Sequence, residues 1–297
     1  MLQSMRIGID LGGTKIEGIV IDPEGDITLK RRVNTPAAEG YHAILAALGD
    51  LIINLERDAG VKCSVGVAAP GAVSKRTNTM KNCNTACING KPLKKDLEAH
   101  LQRKVHIAND ADCFALSEAR DGAGAGYEVV FGVILGTGVG GGVIFNGHVH
   151  SGPNAIAGEW GHTPLVENGI DCYCGKKGCV ETVLSGPGLH RDYLLHGGTQ
   201  AKDAVQVVHA AKDRSDKHAI EAIDRYIVHF GRAMATVIDV LDPDVVVLGG
   251  GLSNMDVLYE RGPKSVESFV FSDSLLTPIV QNKYGDSSGV RGAAWLW

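Results

Sequence analysis

Three cysteines crowd into one short segment, Cys172-Tyr173-Cys174-Gly175-Lys176-Lys177-Gly178-Cys179, with His162 shortly before it. Thiolate and imidazole are donors that zinc prefers, and a Cys3His set delivered from one loop is the ligand set of a closed tetrahedral structural site. With no open coordination position, such a zinc would order the loop rather than act as a Lewis acid. It would also fix the neighbouring carboxylates, Glu159 and Glu181. The competing reading is a chance cluster of free thiols. The chain has seven cysteines, an odd count, and the spacing suits metal ligation in a reducing compartment better than a disulfide framework. Cys63, Cys83, Cys87 and Cys113 read as small core or loop residues.

A second kind of chemistry is available at Asn109-Asp110, where an apolar run, Val105 to Ala108, meets a helical pattern, Asp110 to Arg120. A carboxylate at that junction can take a proton from a substrate hydroxyl during phosphoryl transfer, a step otherwise governed by positioning and charge neutralisation. Asp110 can equally be a helix N-cap.

Three glycine clusters offer backbone N–H groups to anions. In Asp10-Leu11-Gly12-Gly13-Thr14-Lys15 small residues let the backbone approach a phosphate, and Thr14 and Lys15 add donors. The order Thr-Lys before a strand is not a Walker A loop, and a plain β-hairpin fits the local pattern as well. Gly136-Thr137-Gly138-Val139-Gly140-Gly141 matches the dinucleotide fingerprint formally, yet a strand follows where that site needs a helix. Gly249-Gly250-Gly251 ends the apolar strand Asp244 to Leu248 and precedes a helix predicted from Leu252. It fits either nucleotide packing or a tight turn.

The elements that must position these groups show a duplication. Gly8 to Asp22 aligns without gaps with Gly132 to Asn146, matching Gly8 with Gly132, Leu11 with Leu135, Gly12 with Gly136 and Gly18 with Gly142. Each copy reads as strand, glycine turn and returning strand. The twin of Asp10 is Ile134, so only the first copy carries a carboxylate at its turn, assigned to magnesium–phosphate organisation or to lysine positioning. Further periodicity predicts a strand at Ile27 to Val33, a helix from about Gly40 to Arg57 and a strand at Ser64 to Ala69. Helices follow near Pro187 to Leu195, Ala201 to Ala211 and Asp216 to Leu241. The alternation implies an α/β fold in two similar lobes with a ligand cleft.

Composition narrows the function. A chain of 297 residues with 44% hydrophobic content can bury two cores. A net charge of −5 and no Lys/Arg block leave no field for a nucleic-acid backbone. The apolar runs are strand-sized, far short of the roughly 20 residues that span a bilayer, and no secretion signal opens the chain. Met5 is an alternative start, with Met1 to Ser4 before it.

Taken together, these motifs resemble the ROK family of sugar kinases, within the actin-like ATPase superfamily with its RNase H-like fold. The resemblance covers essentially the whole chain. It rests on the Asp10 to Lys15 turn, Pro70-Gly71, Asn109-Asp110-Ala111-Asp112, Leu135 to Gly140, Gly158-Glu159-Trp160-Gly161-His162, the Cys172 to Glu181 segment and Leu248 to Gly251. It implies transfer of the ATP γ-phosphate to the 6-hydroxyl of a hexose, with Asp110 as general base and Mg2+ bridging the phosphates. Gly71, Asn84, Asn109, Asp110, Glu159, His162 and Glu181 would face the sugar. Asp10, Gly12, Gly13, Thr14, Lys15, Gly136, Thr137 and Gly138 would serve the phosphates, and Gly249 and Gly250 the adenosine. His162 would ligate structural zinc with Cys172, Cys174 and Cys179 and offer its other ring nitrogen to the sugar.

The resemblance further implies a cytoplasmic homodimer whose partners are ATP and a sugar, with no nucleic acid and no membrane. It places an N-terminal lobe at 5–120, completed by 286–297, and a C-terminal lobe at 121–285 with the zinc loop at 158–181. Val245 to Gly251, Phe269-Val270-Phe271 and the ending Gly285 to Trp297 are similar to the bacterial manno(fructo)kinases, so fructose or mannose is the expected substrate. One feature departs from that pattern, Cys87 standing where those enzymes carry an aromatic, and the Cys113 to Ala119 segment is also similar to N-acetylglucosamine kinases. N-acetylglucosamine kinase or glucokinase is therefore the alternative within the family. A sugar-responsive regulator without kinase activity is the alternative of a different class, one also found within the family, disfavoured by the retained Asp110 and by a first strand that begins near Arg6.

Overall fold

The computed structural model describes residues 5–297. The alternative start concerns Met1 to Ser4, which lie outside the described residues. Contacts divide the chain into two compact units, the first comprising residues up to Gly126, Gly142–Ala157 and Asp286–Trp297, the second Tyr127–Gly141 and Gly158–Gly285.

Unit 1 opens with β1 (Arg6–Leu11), β2 (Lys15–Ile21) and β3 (Ile27–Asn34), an antiparallel meander. Helix α1 (Tyr41–Ala59) follows and stops at Gly60, whose φ of 68° only glycine adopts freely. Its Ile44, Leu48, Leu51, Ile52 and Leu55 recur at helical spacing and are buried with Ile7, Ile9, Val65 and Val67 in one core. Each such side chain contributes roughly 1.5–3 kcal/mol by leaving water. Strand β4 (Ser64–Ala69) is apolar on both faces, as a central parallel strand must be. The two-residue strands β5 (Ala72–Val73) and β6 (Met80–Lys81) form a small hairpin, and α2 (Leu93–Leu101) leads to β7 (His106–Asn109) and α3 (Asp110–Asp121). The sheet order is β3-β2-β1-β4-β7.

Two differences from the sequence reading arise here. Strand β7 lies one residue later than expected, because its ladder with β4 runs from Gly66–His106 to Ala69–Asn109 and leaves Val105 buried outside it. Helix α2 was not anticipated: Leu93, Leu97 and Leu101 do recur at helical spacing, but the stripe is one residue wide in a short and otherwise mostly polar segment.

The second glycine hairpin is β8 (Val129–Leu135) and β9 (Val139–Phe145), followed by the short β10 (His148–Val149). The unit boundary cuts β9, and Gly142 lies on α3: a Cβ there would come within 2.6 Å of Ala111 O. Residues 142–157 accordingly group with unit 1. Unit 2 continues with α4 (Val180–Leu184), α5 (Gly186–Leu195), α6 (Ala204–Lys212) and the long amphipathic α7 (Lys217–Leu241). Strand β11 (Val245–Gly249) pairs in parallel with β8 and with the later β12 (Ile279–Gln281). The helix expected from Leu252 is instead one 3-10 turn, Gly251–Asn254, followed by the short α8 (Val257–Glu260) and α9 (Gly262–Glu267). Its start is constrained by Gly250, at φ 80°, where a Cβ would lie 2.4 Å from Leu135 O.

Helix α10 (Ser288–Ala294) closes unit 1. It packs backbone to backbone: a Cβ on Gly292 would strike Cys113 O on α3, and one on Gly8 would strike Val290 O. Buried Arg291 pairs with Asp121 and donates to Gly25 O at 3.0 Å. No helix among the described residues is long and apolar enough to cross a membrane.

Candidate functional site

Strands β1 and β7 both run parallel to β4, with Asp10 opposite Ala68 and Asn109 opposite Ala69. Asp10 and the Asn109-Asp110 pair therefore finish at the same carboxyl edge of the sheet, about two strand spacings or ~10 Å apart. This edge is where open α/β sheets bind ligands.

The cap of α3 is Asn109 rather than Asp110. Asn109 Oδ1 accepts the Ala111 N–H at 2.8 Å, and its Nδ2 donates to Gly71 O at 3.2 Å. Asp110 Oδ1 shares the same N–H at 2.9 Å, and Asn109 also bonds the Asp110 carboxylate. The Asp110 residue keeps an exposed face although protein atoms crowd its carboxyl. That environment admits a small molecule while limiting bulk solvation, and its pKa is raised by burial against the lowering effect of the Ala111 and Asp110 backbone N–H groups and Asn109. Asp10 is raised to about 6, first by burial and then by the charges of Asp110 and Glu17, with Lys15 pulling the other way.

The first glycine turn is held by the protein on one side only. Gly12 N–H donates to Lys15 O, while Thr35 donates its hydroxyl to Gly12 O at 2.7 Å and its N–H to Thr14 O. Gly13, Thr14 and Lys15 are exposed. Gly71, at φ 82°, lies so close to the 81–90 loop that a Cβ would meet Lys81 O at 2.3 Å and Cys83 Sγ at 2.8 Å. That loop is clipped by Asn89, which accepts from Cys83 N–H and donates to Cys83 O. Gly71, Asn109 and Asp110 are thus joined in unit 1, with Asn84 exposed on the clipped loop.

In unit 2 the ligand atoms of His162, Cys172, Cys174 and Cys179 all lie within 4.8 Å of one another. Cys174 Sγ is 3.7 Å from Cys179 Sγ, and Cys172 Sγ is 3.6 Å from His162 Nδ1. Tetrahedral zinc with Zn–S bonds near 2.3 Å would set sulfur atoms about 3.8 Å apart, so the four groups fit the ion. His162 turns Nδ1 to the thiols and Nε2 outward, where Tyr173 Oη sits at 3.0 Å. The preceding turn is anchored by Trp160, whose Nε1–H donates to Gly140 O at 2.9 Å and whose ring meets Phe131 edge to face.

Glu181, near the start of α4, reaches the second glycine turn and accepts the Val139 N–H at 3.0 Å. Gly186 N–H donates to Gly136 O. Gly249 pairs with Ile134 and Gly250 packs on Leu135, so the third glycine cluster adjoins the second hairpin. Thr35 and Tyr173 were missed by sequence reasoning, and only the duplicated turn or the cysteine spacing hinted that their neighbourhoods matter.

The ROK family model matches residues 6–297. The chain is a ROK-family sugar kinase. N-acetyl-D-glucosamine kinase from Photobacterium profundum is 39% identical over 304 residues, covering 98% of this chain and 99% of that protein. The crystal structure of ROK hexokinase from Thermus thermophilus superposes with a TM-score of 0.85 at 31% identity, covering 98% and 97% of the two chains. A ROK family glucokinase from Streptomyces griseus, solved with glucose and AMPPNP, gives 0.78 at 28% identity and covers 98% of each. The mixed α/β sheets described above are those of the actin-like ATPase fold of ROK sugar kinases.

Proposed function

We propose that this ROK kinase transfers the γ-phosphate of ATP to the 6-hydroxyl of N-acetylglucosamine. The observation that carries the kinase chemistry is Asp110: a carboxyl at the sheet's carboxyl edge, held by the Ala111 N–H on a residue that stays exposed, where a sugar hydroxyl can meet it. Asp110 takes the proton as the hydroxyl attacks, and its raised pKa strengthens it as a base. Asn109 holds the helix start and Gly71 the adjoining loop, so the base is positioned by two fixed neighbours. Asn84, Glu159, His162 and Glu181 are assigned to sugar hydroxyls.

The glycine turns at Gly12 to Lys15 and Gly136 to Gly138 present backbone N–H groups to phosphate, and Gly249 and Gly250 lie against the nucleoside. Asp10 stands near the like charges of Asp110 and Glu17; Lys30 and Arg32 pair with Glu17 and Lys15 acts on Asp10, and a divalent cation would further relieve Asp10 and Asp110. Mg2+ carried by ATP supplies charge neutralisation at the phosphates there. His162, Cys172, Cys174 and Cys179 would hold zinc, which would order the segment from Glu159 to Glu181 at the start of α4. The working unit is a cytoplasmic homodimer.

What supports N-acetylglucosamine over the fructose or mannose expected from the sequence is the name of the Photobacterium relative, together with Cys87 and the Cys113 to Ala119 segment. The Streptomyces structure with glucose keeps a glucokinase as the second reading. A panel of N-acetylglucosamine, glucose, mannose and fructose, ranked by kcat/KM with ATP and Mg2+, tests the assignment. N-acetylglucosamine is expected first, and fructose or mannose in that place would overturn it.

A further inference from the structure

Thr85 carries a hydroxyl for which the fold provides no use. Only 7% of the residue is exposed, and Oγ1 has no hydrogen-bond partner among the described residues. Thr85 stands at the N-cap position of the 3-10 turn Ala86–Ile88, where a threonine oxygen ordinarily accepts an N–H of the turn, yet its side chain makes no such bond. The hydroxyl faces the first glycine turn instead, 3.6 Å from where a Cβ of Gly13 would be. In that turn the Gly13 and Thr14 N–H groups also find no protein acceptor among the described residues. Donors converging on one spot without acceptors describe an anion seat lacking its anion's oxygens. A buried hydroxyl left unpaired is a cost that folding alone does not explain.

We infer that Thr85 is a phosphate-binding residue, its hydroxyl donating to an oxygen of the terminal phosphoryl group of ATP held by the Gly12–Lys15 turn. The inference rests on the assignment of that turn to the phosphates. It makes the 81–90 loop, which also presents Asn84, a reader of whether the third phosphate is present. A hydroxyl bond to a charged phosphate exceeds a neutral one in strength, and it is absent once the phosphate has left.

The test is Thr85→Val, which keeps the shape and deletes the hydroxyl, with Thr85→Ser as the variant that restores it. Binding of AMP-PNP and ADP to the full chain is measured for each, with kcat/KM for ATP and Tm. Thr85→Val is expected to weaken AMP-PNP roughly tenfold or more while ADP stays within about twofold, and Thr85→Ser to recover most of the loss. The nucleotide-free valine variant should melt at the same temperature or roughly 1–4 °C higher, because an unpaired buried hydroxyl has been removed. Unchanged AMP-PNP affinity, or equal weakening of both nucleotides, overturns the inference, as does a lower Tm without a nucleotide effect. Amide resonances of Gly13 and Thr14 separate the two failures. If they do not shift when AMP-PNP binds the unaltered protein, the phosphate assignment of the turn falls and the role of Thr85 with it. If they shift while Thr85→Val binds normally, only the role of Thr85 falls.

Discussion

The two glycine hairpins share a backbone plan and solve the placement of negative charge in opposite ways. In β1–β2 the carboxylate, Asp10, belongs to the strand, and its burial beside Asp110 and Glu17 makes it costly to ionise. In β8–β9 the corresponding position is Ile134, and the carboxylate is brought in from outside: Glu181 docks on the Val139 N–H from a helix that begins directly after Cys179. One hairpin carries its charge at a cost, and the other borrows it from a short helix that starts directly after the His162, Cys172, Cys174 and Cys179 cluster, where a metal would order it. A duplicated scaffold thus keeps its backbone while its charge is supplied by different neighbours.

The most severe way to probe the first hairpin's charge cluster is Asp110→Asn. It removes the proposed base and one of the charges raising Asp10, and is expected to lower kcat by roughly 10²- to 10⁴-fold with the sugar KM changed far less, in a coupled ADP-release assay. A variant retaining full kcat would remove Asp110 from the mechanism.

For the second hairpin the equivalent test is loss of the metal. About one zinc per chain is expected from a single Cys3His site, and Cys179→Ser should abolish it, lower Tm by more than about 5 °C and raise the sugar KM. Unaltered protein purified without zinc, yet equally stable, would break the claim that a metal orders Glu181.

Asp10 offers a pH test with a definite sign. Its carboxyl titrates near 3.8 unfolded and about 6 folded, so between those values the folded protein holds a proton that the unfolded chain has released. Stability without nucleotide should therefore be fullest below about pH 4 as far as Asp10 is concerned, and fall as pH rises through about 6. Asp10→Asn should flatten that slope and stabilise the protein at neutral pH by up to about 3 kcal/mol while impairing turnover. A steeper decline in the variant would contradict the burial argument.

The smallest effect is expected from Glu181→Gln, which keeps an acceptor for the Val139 N–H. Thermal denaturation should shift by less than about 2 °C, whereas the KM for N-acetylglucosamine should rise. A large loss of stability would show that the charge itself, rather than the hydrogen bond, holds the second turn.

Much of this was legible before folding. The gapless alignment of Gly8 to Asp22 with Gly132 to Asn146 announced both hairpins, and Ser64 to Ala69 was bounded as observed because an apolar β-branched run between polar segments has little choice. The cysteine spacing announced the cluster because its ligands are close in the chain. Helix α2 escaped although Leu93, Leu97 and Leu101 recur at helical spacing, because the stripe is short and narrow, and the grouping of 142–157 with unit 1 depends on Gly142 resting on α3, a contact between residues distant in sequence.

By itself the sequence determined which groups were present and those whose partners are local: the turns, the thiol cluster, the carboxylate at a strand end. Only tertiary structure decided that Asn109 rather than Asp110 caps α3, that Glu181 lands on the Val139 N–H, and that the Thr85 hydroxyl finds no partner among the described residues. Hydrogen-bond satisfaction and solvation depend on neighbours assembled through space, and residue type along a chain carries neither.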